Sequence, residues 1–425
     1  MNTSSRPKAR LLLISIVLLL PIQTSFAQSY VEFTPSISTG VEYDDNLFLD
    51  PANEVSDYIT SISPGFSLTL LKQDTQLELA YAPTLVWYTE ETVDNTVNHS
   101  GTLTFGQDLT EHLRFDLTDT ALRSDDPLED LEDVGGVRET REQYFTNNAS
   151  ASLRYLFGPE NAFTVGYGNI YLKNDDTTLN DSRTQIPFAT LTHRFNIRNS
   201  AEINYRYTKA DFWIDNIPPS DDYTGHAAGV RYIYNFTLHT EGSLGYNLTT
   251  RNFDGNEEDY KIHDGSIGIE HAFSSDLSAS AGAGYFMQDN DYSDDETGYS
   301  YDASIIRQFE RGSINIGGAG GWEESYLATD RSGFIEYWSV DASADYQILE
   351  PLTLYADGSY RRNKDADDTE WNLLRGHCGL NWTFFRWFSL SLDYSYAERD
   401  DDVDRDDYSV NRVALYLTAG RLYRW

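Results

Sequence analysis

Eight histidines and a single cysteine are the residues of this 425-residue chain best suited to bind a metal or serve as nucleophile and base. His99, His112, His193, His226, His239, His263, His271 and His377 are scattered, without the close spacing that lets metal ligands share a face. Cys378 stands alone, which excludes a disulfide framework, an iron–sulfur cluster and a Cys-based zinc site. His263-Asp264 is the nearest approach to a catalytic pair. Adjacent residues of a strand point to opposite faces, so these two cannot cooperate. A nucleophile and its base must lie within hydrogen-bond reach, and no such group stands out. No enzyme, cofactor or metal is expected.

Acids supply the remaining candidate chemistry. Asp and Glu number 68 against 31 Lys and Arg, a formal net charge of −37 that argues against nucleic acid as a partner. Acidic runs such as Asp289 to Glu296 and Asp400 to Asp404 lack the glycine and spacing of a calcium loop. They read as a solvated rim bridged by divalent cations. The longest acidic segment, Ser124–Glu142, alone has a helical signature. Asp126 suits an N-cap, Pro127 the first helical position and Gly135 the position after the helix end. Leu128, Leu131 and Val134 would form an apolar stripe, turning Glu129, Asp130, Glu132 and Asp133 the other way. Folded inward, that segment would constrict a pore and favour cations. The alternative is a loop standing in solvent.

The elements that would position these residues are long strands. Ile62, Pro64, Phe66, Leu68 and Leu70 alternate with Ser and Gly; so do Leu277 to Met287 and Phe388 to Tyr396. Period-two segments of this length give each strand one apolar and one polar face, long enough to cross a bilayer. Aromatics at 14%, with 30 Tyr, argue against disorder. Short turns alternate with acidic loops along the whole chain. The expected fold is an all-β transmembrane antiparallel barrel of about twenty strands (range about 18 to 22), with short periplasmic turns and long acidic extracellular loops.

Arg6, Lys8 and Arg10, the apolar run Leu11 to Leu20, Pro21 and Ser25-Phe26-Ala27 read as a cleaved secretory signal over residues 1–27, with a single barrel over 28–425. Strand one would open near Tyr30, leaving no N-terminal plug, which argues against a siderophore-type transporter. Cys378 alternates with Gly376, Leu380, Trp382 and Phe384, placing it on the lipid face. In-phase lumenal positions include Arg114, Asp116, Arg154, Asn204, Arg206, Arg231, Asn235, Asp341, Asp345, Asp357 and Arg361. Both signs occur, so the wall reads as an aqueous lining without a ladder of one charge.

The chain ends Thr418-Ala419-Gly420-Arg421-Leu422-Tyr423-Arg424-Trp425. Thr418, Gly420, Tyr423 and Trp425 resemble the terminal signal read by the barrel-assembly machinery of the Gram-negative outer membrane, with Trp in place of the usual Phe. A second resemblance lies at the other end. Phe33-Thr34-Pro35-Ser36-Ile37, then Val41-Glu42-Tyr43-Asp44-Asp45-Asn46-Leu47-Phe48, Ile59 to Ile62 and Pro64-Gly65-Phe66 resemble the opening of the beta-barrel porins found with exopolysaccharide and exosortase-linked surface systems. That resemblance implies an outer-membrane protein linked to export or assembly of a surface polysaccharide. Its partners would be outer-membrane lipid, the assembly machinery and polysaccharide or envelope export proteins. The Tyr-Asp-Asp-Asn turn serves either that function or simply the shape of the first loop. The alternatives are a general diffusion porin with modest cation preference, or a structural or receptor barrel acting through its loops.

Overall fold

The computed structural model describes residues 30–425 except 91–92, 129–140, 214–221, 256–257, 326–332, 366–367 and 404–405. The signal segment therefore lies outside the described residues, as do Glu129, Asp130, Glu132 and Asp133. The strands are β1 Tyr30–Asp44, β2 Asp57–Lys72, β3 Thr75–Tyr88, β4 Thr96–Thr110 and β5 Leu113–Ser124. Next come β6 Tyr144–Gly158, β7 Asn161–Asn174, β8 Asp181–Asn196, β9 Asn199–Trp213 and β10 Tyr223–Asn235. The second half holds β11 Thr240–Phe253, β12 Tyr260–Ser274, β13 Leu277–Asn290, β14 Glu296–Phe309 and β15 Gly312–Ser325. Last are β16 Gly333–Leu349, β17 Leu352–Asp365, β18 Glu370–Phe385, β19 Phe388–Asp401 and β20 Tyr408–Gly420. A two-residue β21, Tyr423–Arg424, follows.

Each strand pairs antiparallel with its sequence neighbours, and β1 also pairs with β20 from Ser36↔Gly420 to Asp44↔Arg412, closing the ring. Closure leaves no sheet edge, which a bilayer would not tolerate. The alternation sets the faces. Phe33, Leu68, Leu79 and Leu103 lie side by side across β1 to β4, and Ile203, Leu244 and Ile267 are 53%, 60% and 62% exposed on the outside. Glycine, serine and threonine at the intervening positions face the lumen. Phe195, Phe236, Phe273, Phe309 and Phe385 sit exposed beside the short turns, as an interfacial aromatic girdle does. Cys378 lies on the outer face, beside Ala356 and Tyr394 in register.

Strands about 4.8 Å apart and tilted about 40° make a twenty-strand ring about 40 Å across between backbones. Side chains cannot fill that width. The fully buried ones instead collect at the long-loop end: Asp44, Asn46, Leu47, Tyr144, Phe286 and Trp371 are all at or below 1% exposed. Elsewhere the inner wall faces water. Among the described residues the packing is concentrated at the mouth.

Candidate functional site at the barrel mouth

The packed mouth begins with the turn that leaves β1. Asp44 accepts the N–H of Asn46 at 2.9 Å, Arg141 Nη2 at 3.1 Å, and pairs with Arg412 Nε at 3.0 Å. Asp45 receives both the backbone N–H and the side-chain amide of Asn411 on β20, at 2.7 and 2.8 Å. Asn46 donates to the carbonyls of Asp50 and Ser409 at 3.1 and 3.0 Å. Leu47 packs with Val86 and Tyr88 of β3. The Tyr-Asp-Asp-Asn turn thus shapes the first loop and also ties the first strand to the last. A sequence reading confined to neighbouring residues sees only the first of these roles.

The β5–β6 loop enters the same cluster from across the ring. Its outgoing foot carries Asp126, which holds the Arg412 guanidinium through both oxygens at 2.7 and 3.0 Å. Asp126 also accepts the N–H of Leu128 at 3.0 Å, as an N-cap does. Leu128 packs against Leu49, Tyr408 and Val410. The return foot carries Arg141, which donates to the Leu47 carbonyl, to Tyr88 Oη at 3.2 Å and to Asp44. Tyr88 in turn donates to Asp125 at 2.5 Å, and Asn98 donates to the other oxygen of Asp125 at 2.8 Å. Both feet therefore reach from β5 and β6 past β2–β4 to β1 and β20. Sequence reasoning singled out Asp126 and Leu128 but missed Arg141 and Arg412, whose partners are 97 and 286 residues away.

Asp126 is a part-buried acid whose charge survives. Burial alone would raise its pKa, but the Arg412 guanidinium, with Arg141 and the Leu128 N–H, pulls it down to about 2.

A second inward segment is the upper part of the β15–β16 hairpin. The β14–β15 ladder stops at Tyr301↔Gly320, although β15 continues to pair with β16 up to Ser325↔Gly333. At Gly321 φ is +157°, and a Cβ there would press on Ser300, so only glycine suits the bend. Beyond it Trp322 stacks on Phe334, with centroids 5.9 Å apart, and both contact Phe286 of β13. Glu324 pairs with Arg251 of β11 and accepts Tyr260 Oη at 2.7 Å; Glu323 pairs with Arg361 of β17. The two inward segments arise on opposite sides of the ring, ten strands apart in order.

The histidines go elsewhere. His99, His226 and His263 lie on the outer face, each bonded through Nδ1 to a tyrosine hydroxyl of the next strand (Tyr81, Tyr205 and Tyr246, at 2.9, 2.7 and 2.8 Å). Asp264 faces the lumen, toward Trp322 Nε1 at 3.4 Å. Among the described residues no group of three or more His, Cys, Asp or Glu could hold a metal ion. At the terminus Thr418 bonds Ser38 inside the barrel at 2.9 Å, and Tyr423 pairs in register with Phe33. Trp425 exchanges two 3.0 Å backbone bonds with Val31, and its ring stacks on Tyr423 at 6.2 Å.

No family model and no curated protein matches the chain. Solved structures do match in backbone. The siderophore receptor PirA from Pseudomonas aeruginosa has a TM-score of 0.52 at 10% identity, over 92% of this chain and 80% of its own. The FrpB iron transporter from Neisseria meningitidis scores 0.51 at 10% identity, over 91% and 81%. The outer membrane protein OpdK from Pseudomonas aeruginosa scores 0.42 at 12% identity, over 92% and 99%. At such identities the likeness is one of fold: this chain has the closed barrel of outer-membrane proteins.

Proposed function

We propose that the chain is a porin-like conduit of the Gram-negative outer membrane, narrowed at its extracellular mouth by its third loop, serving export or assembly of a surface polysaccharide. One observation carries the conduit: the wall is lined with small polar residues while both feet of the β5–β6 loop are bound to β1, β3 and β20 across the mouth. A barrel of this width without such a crossing would be an open channel. The link to polysaccharide is supported by the opening residues, Phe33 through Phe66, and by a lumen rich in hydroxyl and amide groups. Glu129, Asp130, Glu132 and Asp133 belong to this proposal as the charge of the constriction, although they lie outside the described residues. Thr418, Gly420, Tyr423 and Trp425 belong to it as the signal presented to the assembly machinery.

Planar-bilayer conductance of the refolded barrel, with and without polysaccharide, tests the reading. Polysaccharide should interrupt the current. Removing Asp126 to Gly136 should raise conductance and weaken cation preference. A barrel indifferent to polysaccharide but conducting small ions would instead favour a general diffusion porin.

A further inference from the structure

The lumenal arginines that make no ion pair gather on one arc of the wall. Arg154 on β6, Arg206 on β9 and Arg231 on β10 face the lumen, exposed, and none makes an ion pair among the described residues. Asp341 and Asp345 on β16, Asp357 on β17 and Asp393 on β19 face it from the other side. In the closed ring β6 stands opposite β16, and β9 opposite β19. The walls are about 40 Å apart between backbones, whereas charges are screened within about 8–10 Å in physiological salt. Each wall therefore acts on a solute independently.

The arginine wall has a built entrance and a built middle. At the short-turn end a cavity of about 720 Å³ is bordered by Lys72, His112, Arg114 and Arg154, with Asp74 and Asp108. Arg154 stands directly across from Arg114, a like-charged pair in which only Arg114 is neutralised, by Asp116 at 2.8 Å and Asp108 at 3.3 Å. Further up, Gly229 lies between two amides: a Cβ there would sit 2.1 Å from Asn247 Oδ1 and 2.8 Å from Asn204 Nδ2. Neither amide has another hydrogen-bond partner among the described residues. Asn204 is two residues from Arg206 along β9, and Gly229 two from Arg231 along β10, so the amides lie between the guanidiniums. Beside them a recess of about 340 Å³ is lined by Arg231, Ser243, Ser266 and Ser280, with Glu241, Glu270 and Asp302 also on its wall. Glu202 faces Arg231 in register without an ion pair.

We propose that Arg206, Asn204, Asn247 and Arg231 form a subsite for an acidic saccharide, reached from the short-turn end past Arg154. Guanidiniums match carboxylates in a planar fork, and free amides both donate to and accept from sugar hydroxyls. A bare inorganic anion would use the arginines and leave the amides idle. The acidic wall opposite carries the counter-cations. This inference deepens the conduit reading and rests on it.

The test is current block in planar bilayers, with oligogalacturonate or neutral maltodextrin of matched length added on the short-turn side. Oligogalacturonate should block at concentrations at least tenfold below maltodextrin, and less so as KCl is raised. Arg206→Gln with Arg231→Gln should erase that advantage, while Arg206→Lys with Arg231→Lys, which keeps the charge, should retain part of it. Asn204→Ala with Asn247→Ala should weaken block by both sugars. Equal block by sulfate would overturn the saccharide assignment, and undiminished block in the double Gln variant would overturn the subsite. Block by maltodextrin alone would overturn the inference while leaving the conduit; block by neither sugar would remove both.

Discussion

Arg412 on the last strand holds Asp126 of the third long loop through both guanidinium nitrogens, at 2.7 and 3.0 Å, and touches Asp44 of the first strand at 3.0 Å with its Nε. One side chain thus joins the seam of the barrel to the outgoing foot of that loop. Removing Arg412 leaves the part-buried Asp126 without its closest cation and the buried Asp44 with Arg141 alone, which destabilises both. Arg412→Gln should therefore lower the temperature at which the folded band is lost in semi-native electrophoresis, and make single-channel current noisier. A variant with wild-type noise and heat stability would show that the loop is held by other contacts.

Acid should open the same clamp. Asp126 titrates at about 2 in the folded protein against an ordinary 3.8, so its folded pKa is depressed. Its contribution is complete above the ordinary value and is lost as pH falls through about 2. Conductance should hold steady from neutrality to about pH 4 and change as the pH approaches 2. Asp126→Asn should shift that change away from this window. A transition centred near pH 6 would mean that some other group controls the loop.

The β15–β16 hairpin should be separable from the loop. Trp322, partly buried, lies against Phe286 and Phe334, and truncating it to Ala removes those contacts. Trp322→Ala should raise conductance while leaving the pH response of the Asp126 clamp in place. Unchanged conductance would mean that the hairpin does not limit the passage.

Cys378 reports the register of the wall. It lies in an outer groove with Ala344, Ala356, Leu380 and Leu392, a setting for acyl chains. A sulfonated maleimide should fail to label it in intact outer membranes, and an uncharged one should succeed. Rapid labelling by the charged reagent would place this strand one residue out of phase.

The wall was legible in the sequence because its rule is local. Alternation in Leu277 to Met287 or Phe388 to Tyr396 names both faces without knowledge of any partner strand. The mouth was not legible in the same way, since Asp126 meets Arg412 286 residues away and Arg141 meets Asp44 at 97. The arc of lumenal arginines falls between these cases. Arg154, Arg206 and Arg231 precede Asp341, Asp345 and Asp357 in the chain, and in a ring built strand by strand, chain order is angular order. Strand number alone therefore sets those three arginines apart from those three aspartates.

Ser38 and Thr418, 380 residues apart, touch across the seam, far down the same two strands from where Asp45 meets Asn411. Such bonds form only after every intervening hairpin has been laid down, so closing the wall is the final step of building it. Arg412 arrives with the strand that completes the ring, and it is the residue that captures Asp126. A half-built barrel can hold Asp125 through Tyr88 and Asn98, but it cannot yet hold Asp126. Sealing the cylinder against lipid and fastening Asp126 at its entrance are a single event in time, performed by the last strand to arrive.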